Sequence, residues 1–182
     1  MDFVGFAADC TISGKVTMFG ERLTDFLNGQ ERFRIHHVEC ESLADGHRVA
    51  VDSISVERSD LLAVIATGPR GSEKQRVQLH TNRLQMSVGP YVILGHLHVK
   101  PGTDPVASVL QRDPMIPFTS ATVAYEVAGS IVARDVSTVI VNRLLVDWIS
   151  PTSETASLFP DMPVRSPFAS RLHTDYGRNT AP

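Results

Sequence analysis

Gly20-Glu21-Arg22-Leu23-Thr24-Asp25-Phe26-Leu27-Asn28 decides how this chain is read, because the setting of these nine residues occurs twice. They follow Ile12-Ser13-Gly14-Lys15-Val16-Thr17-Met18 and precede Phe33-Arg34-Ile35-His36-His37-Val38. The later counterpart runs Ile93-Leu94-Gly95-His96-Leu97-His98-Val99, Gly102, Val106-Ala107-Ser108-Val109-Leu110 and Ile116-Pro117-Phe118. Gly14 and Gly95 are 95 − 14 = 81 apart; Leu27 and Leu110, like Gly46 and Gly129, are 83 apart (110 − 27, 129 − 46). The offset drifts to 85 (143 − 58) where Arg58 meets Arg143. Two copies of one small unit, separated by small insertions, explain the pattern.

Inside each copy the hydrophobic period is two. Residues 12–18 alternate apolar and polar, as a half-buried strand requires, and Gly14 marks a bulge or sharp bend. Leu23, Phe26 and Leu27 then recur at helical spacing, and Asn28-Gly29 ends one or two turns of helix. Strands are expected at 32–42, 47–56 and 61–66, divided by Ala44-Asp45-Gly46 and Arg58-Ser59-Asp60, both turn chemistry. Val49 and Val51 share one parity and Ile54 and Val56 the other, so a bulge is expected near Asp52-Ser53. In copy two the expected elements are strands at 91–99, 115–127, 131–135 and 138–149, with a short helix at 105–111.

Many short strands with regular turn signals predict a mainly β chain: two tandem small antiparallel β-barrels, each with a short helix, plus extended N- and C-terminal segments. The expected boundaries are an extended lead-in at 1–11, a first repeat at 12–80, a second at 86–149 and a Pro-rich tail at 150–182. Units this small bury about 60% of their unfolded surface, so pairing with each other or with a partner would relieve marginal stability.

Composition bounds the function. The chain has 182 residues, 42% of them hydrophobic, and a formal net charge of −3, which invites neither nucleic acid nor an anionic membrane. The two cysteines, Cys10 and Cys40, lack metal-type spacing and read as buried thiols of a reducing compartment. The N-terminus lacks a basic n-region, and the most apolar stretch, 139–149, is too short to span a bilayer. A cytoplasmic protein is expected, a placement that includes the cytoplasmic face of a membrane complex.

No nucleophile elbow, phosphate-cradling loop or dinucleotide fingerprint is present in the sequence, so a non-enzymatic chain without cofactor is expected. Three weaker readings have residues attached. His96 and His98 share a strand face at a spacing metal sites use, but Lys15 and Thr17 hold the equivalent places, which favours a polar strand face over a metal-dependent enzyme. His36 and His37, adjacent on a strand, should point to opposite faces. Asp25 faces Ser108 in the other copy and reads as a helix-surface or capping group rather than a general base. Arg70, Lys74 and Arg76 make a small basic loop, the basis of an alternative nucleic-acid-binding reading.

The leading expectation is a structural subunit that binds other protein subunits of a large, membrane-associated complex without a transmembrane segment of its own. The tail carries Pro151, Pro160, Pro163, Pro167 and Pro182 with scattered apolar residues, a composition suited to lying along a partner. The expected partner-binding residues are Phe159, Met162, Phe168, Leu172 and Tyr176, with Phe3 and Phe6 at the other end.

Gly14, Gly20, Leu23, Asp25, Phe26, Leu27, Asn28 and Phe33 resemble the signature of a family of small bacterial domains of uncharacterised function, associated with Sm-like or SH3-like barrels. Copy two keeps Gly95, Gly102, Val106 and Leu110 but loses the Asp and Asn. The resemblance covers about residues 12–149 and implies architecture. The helix follows the first strand of each copy, whereas in Sm proteins it leads the barrel, and no Sm RNA-binding signature is evident. More loosely, a two-barrel chain with a long tail is similar to the Sm-like accessory subunits of double-ringed bacterial reaction-centre–light-harvesting complexes. That resemblance implies a photosynthetic setting.

Overall fold

The computed structural model describes residues 1–20, 22–67 and 79–153. Ten strands and two short helices follow one another as β1 (Asp2–Phe6), β2 (Cys10–Val16), α1 (Leu23–Gly29), β3 (Arg32–Ser42), β4 (Arg48–Glu57), β5 (Ala63–Ile65), β6 (His80–Val88), β7 (Tyr91–Val99), α2 (Pro105–Gln111), β8 (Met115–Val127), β9 (Ser130–Asn142) and β10 (Trp148–Pro151). Two 3-10 turns, Arg58–Asp60 and Arg143–Leu145, precede β5 and β10. All strand pairs are antiparallel, in the order β10-β6-β7-β8-β9-β5-β1-β2-β3-β4. The two halves of that order, 10-6-7-8-9 and 5-1-2-3-4, are the same arrangement used twice.

The halves do not close into two separate barrels, as the sequence pattern suggested. The fifth strand of the first half, β5, pairs with the fourth strand of the second, β9, so the ten strands make one open sheet with β10 and β4 as its edges. The sheet still serves two cores. One gathers Leu84, Met86, Tyr91, Ile93, Leu97 and Phe118 with Phe6 and Ala63 from the first half. The other gathers Phe3, Leu23, Phe26, Leu27, Phe33 and Ile35 with Met115 and Ile140 from the second. Each half therefore lends side chains to the other's core.

Local chemistry explains the bends. In β2 the register slips between Ser13 and Lys15, and in β7 between Leu94 and His96, so Gly14 and Gly95 each sit at a bulge. A Cβ on Gly14 would lie 2.8 Å from the His36 carbonyl oxygen, and one on Gly95 would lie 3.1 Å from Phe118 Cβ. Opposite these bulges, His37 (φ 51°) and Ser120 (φ 46°) adopt left-handed conformations. Burial along β3 accordingly passes from Phe33 and Ile35 to Val38, slipping by one residue. β4 keeps unbroken register with β3, so the bulge expected near Asp52-Ser53 is not in β4; the change of parity there follows this slip at His37. It leaves both His36 and His37 exposed, which corrects the expectation that they face opposite sides of the sheet.

Three element boundaries differ from the sequence reading. Residues 1–11 are not a lead-in, because β1 lies inside the sheet between β2 and β5. His80 opens β6, which holds in the second half the place β1 holds in the first. The strands expected at 131–135 and 138–149 are one continuous β9, a 3-10 turn and the short edge strand β10.

Helix α1 buries Leu23, Phe26 and Leu27, the i, i+3, i+4 face seen in the sequence. Asp104 caps α2 by accepting hydrogen bonds from the Val106 (2.8 Å) and Ala107 (3.4 Å) N–H groups, and Pro105 occupies its first turn. The arginine of each 3-10 turn steadies the end of a helix. Arg58 Nη1 donates to the Asn28 carbonyl (2.9 Å), and Arg143 Nε donates to the Arg112 carbonyl (2.6 Å).

Candidate interaction surface

Chemistry-bearing side chains do not converge in the described residues. His96 and His98 lie on β7, and His98 Nε2 is 2.8 Å from Thr119 Oγ1 across the strand pair. Among the described residues no three His, Cys, Asp or Glu side chains are grouped so as to hold a metal ion. Asp25 is exposed in the first turn of α1. Cys10 and Cys40 are free thiols, both half-buried, and burial together with the neighbouring Asp9 pushes the Cys10 thiol up to about 11. Arg70, Lys74 and Arg76, like Phe159, Met162, Phe168, Leu172 and Tyr176, lie outside the described residues.

Phe3 and Phe6 do not serve as partner anchors in this fold. They are 1% and 0% exposed, and their partners are internal: Phe3 meets Phe33 edge-on, and Phe6 meets Tyr91 and Tyr125. The apolar surface they were expected to offer is used up in joining the halves.

That join defines what a docking surface on this molecule looks like. Ala63, Val64 and Ile65 of β5 stand opposite Val141, Ile140 and Val139 of β9. The ladder is extended by the Asn142 N–H to the Leu62 carbonyl (2.9 Å) and the Ala66 N–H to the Thr138 carbonyl (3.0 Å). Asn142 is buried, and its Nδ2 donates to the Leu61 (3.1 Å) and Arg58 (3.3 Å) carbonyls while its Oδ1 accepts from the Leu144 N–H (3.2 Å). Asn28 Nδ2 donates to the Met115 carbonyl (3.0 Å), and its Oδ1 accepts from the Met115 N–H (2.9 Å). Under this cover Leu27 and Ala63 are both 0% exposed.

Among the described residues, the same elements in the second half have no such strand beside them. Trp148, the counterpart of Ala63 (148 − 63 = 85), is 46% exposed; on α2 Val109 is buried as Leu27 is on α1, but the next residue, Leu110, is 65% exposed. Leu144, on the intervening 3-10 turn, is 62% exposed. These three large apolar residues sit on adjoining elements at the free β10 edge. At the opposite edge, β4 turns Val49 and Val51 to solvent. Its flanks are charged: Arg48 bridges Glu39 (3.1 Å) and Glu41 (2.8 Å), and Arg32 pairs with Glu57.

Sequence reasoning missed Trp148, Leu110, Leu144, Val49 and Val51. The usable signal was the offset of 85, which sets a tryptophan against an alanine in otherwise matched units. Comparison of the chain with family models, with curated proteins and with solved structures returns no match.

Proposed function

We propose that this chain is a non-enzymatic assembly subunit that binds and braces other subunits of a larger complex. The observation that carries the reading is the unequal cover of two equivalent corners. The α1–β5 corner is sealed by the chain's own second half, whereas the α2–β10 corner leaves Leu110, Leu144 and Trp148 in solvent. Tryptophan is enriched in binding hot spots, and large apolar side chains exposed on adjoining elements mark interaction sites.

Each half, curled around its own core, acts in this reading as one small barrel-like unit with an edge to offer. The tail residues Phe159, Met162, Phe168, Leu172 and Tyr176 supply further grips, on the strength of the sequence pattern alone. Tethered contacts of this kind gain strength by effective concentration. The setting the resemblance implies, the cytoplasmic face of a photosynthetic reaction-centre–light-harvesting complex, is the host in which we place it.

The test uses the full chain in its source cells. Gradient sedimentation of a gentle detergent extract should place the wild-type chain with a large complex. A Leu110→Glu, Trp148→Glu variant, and separately a chain ending at residue 150, should shift toward the free fraction. A wild-type chain that sediments only as free protein would reject the proposal.

A further inference from the structure

We infer that the free β10 edge of one molecule pairs with the free β4 edge of a second copy of the same chain, repeating between molecules the β5–β9 junction found within one. The inference rests on reading the α2–β10 corner as a docking surface and names its occupant.

The argument is one of equivalence. Strand order makes β10 the counterpart of β5, and β4 the counterpart of β9. The described residues thus carry one complete junction and the two unmatched halves of another. The register transfers residue by residue. Gly5 pairs with Val64 as Met86 pairs with Ile149, so Ala63, Val64 and Ile65 correspond to Trp148, Ile149 and Ser150. Ile35 pairs with Ile54 as Phe118 pairs with Val139, so Val139, Ile140 and Val141 correspond to Ile54, Ser55 and Val56. The intermolecular pairs are therefore Trp148 with Val56, Ile149 with Ser55, and Ser150 with Ile54.

Backbone donors agree with this register. The Arg58 N–H turns inward to the Glu31 carbonyl (2.8 Å), so alternation along the strand turns the Ser55 and Glu57 N–H groups outward. On β10 the Thr152 N–H turns to the Arg83 carbonyl (3.0 Å) on β6, which leaves the Ile149 N–H facing out. Ser55 and Ile149 then exchange two hydrogen bonds, as Val64 and Ile140 are placed to do inside the molecule.

Side chains agree as well. Trp148 is exposed where its counterpart Ala63 is sealed, with Leu110 of α2 exposed on the same side, and a docked β4 edge is what covers Trp148. The new junction is weaker than the internal one for stated reasons. Pro151 stands where Ala66 donates to Thr138, which removes one ladder bond. Ser55 replaces Ile140, which removes apolar contact. Glu57 comes opposite Asp147, but Glu57 is held by Arg32 and Asp147 by the Gly89 N–H (2.9 Å), so neither meets the other as a bare charge. A head-to-tail contact of this kind closes into a ring or continues as a filament.

The purified full chain tests the idea by sedimentation equilibrium from about 1 to 100 µM, the span of moderate protein association. The weight-average mass should climb above that of one chain, and Ser55→Pro or Trp148→Glu should each return it to one chain. Because Ser55→Pro can also perturb folding, register is read independently by cross-linking. In a Cys10→Ala, Cys40→Ala background, Ile54→Cys and Ser150→Cys chains mixed under mild oxidation should form a mixed disulfide dimer. A mass that stays at one chain across the range, or an Ile54→Cys chain that cross-links only to itself, would overturn the inference. If the purified chain is monomeric while Trp148→Glu still releases it from a large complex in cells, self-pairing is wrong and the bracing role stands.

Discussion

Asn28 and Met115, 87 residues apart, are joined as two strand residues would be: the Asn28 amide donates to the Met115 carbonyl at 3.0 Å and accepts from the Met115 N–H at 2.9 Å. A side-chain amide here stands in for a peptide group and satisfies both polar groups at the start of β8. It also ties the end of α1 to the other half of the chain. Removing the amide should therefore be felt. Asn28→Ala leaves two partly buried backbone groups without partners and should lower unfolding stability by about 2 kcal/mol, measured by urea titration.

Asn28→Asp sharpens the same point. The carboxylate still accepts from the Met115 N–H but now faces the Met115 carbonyl oxygen, so the charged form is disfavoured and its pKa in the folded chain should rise. An acid with a raised folded pKa contributes stability below its unfolded pKa and loses it as pH rises through the folded value. The deficit of Asn28→Asp relative to wild type should thus be larger at pH 7 than at pH 4. An equal deficit at both values would mean the amide donor is not what holds Met115.

Gly14 and Gly95 occupy matching bulges but leave different room. A Cβ at Gly14 would come within 2.8 Å of a backbone oxygen and 2.7 Å of Ile35 Cγ2, whereas at Gly95 the nearest atoms are Cβ carbons at 3.1 Å. Backbone cannot yield as a side chain can, so Gly14→Ala should cost about 2–3 kcal/mol and Gly95→Ala about 1 kcal/mol or less. Thermal unfolding of the two variants checks the order, and the reverse order would contradict the geometry.

Those glycines show how far the sequence was legible. A glycine inside an alternating run is a local signal, so the bulge at Gly14 could be read directly, whereas the one placed near Asp52-Ser53 belongs to His37 on the neighbouring strand. The role of Phe6 could not, because its ring partners are Tyr91 and Tyr125, which belong to the other half of the chain. β10 was hidden for a different reason. The first 3-10 turn is Arg-Ser-Asp and reads as a turn, but its counterpart is Arg-Leu-Leu, whose apolar residues blend into the strand before it. The exposure of Leu144 and Trp148 depends on which strands flank β10 in the sheet, a fact of topology that no local period carries.

Cys10 gives a prediction with a pH axis. Burial, then Asp9, holds its thiol protonated up to about 11, against an ordinary value of 9.0. The folded form binds the proton more tightly than the unfolded form, so this group's contribution to stability is intact below pH 9 and falls away as pH rises toward 11. At pH 8 iodoacetamide should modify Cys10 roughly tenfold or more slowly than a free cysteine, with the rate climbing through pH 9 to 11. Modification at the free-cysteine rate in native conditions would show the thiol to be unshielded.

Tyr91 and Tyr125 share one aromatic cluster with Phe6 and offer a matched comparison. The Tyr91 hydroxyl donates to the Ala7 carbonyl at 2.7 Å and lies 3.2 Å from the Cys10 carbonyl, pinning the β1–β2 turn to the second half. The Tyr125 hydroxyl is buried with no hydrogen-bond partner among the described residues, and the Arg134 guanidinium lies 5.7 Å from the centre of its ring. Removing a satisfied buried hydroxyl strands its acceptor, whereas removing an unsatisfied one relieves a desolvated group. Tyr91→Phe should therefore destabilise by about 1–2 kcal/mol, and Tyr125→Phe should be neutral or slightly stabilising. Because both changes delete one oxygen from the same cluster, aromatic packing cancels in the comparison. A Tyr125→Phe chain as destabilised as Tyr91→Phe would show that the Tyr125 hydroxyl is hydrogen-bonded in the folded chain after all.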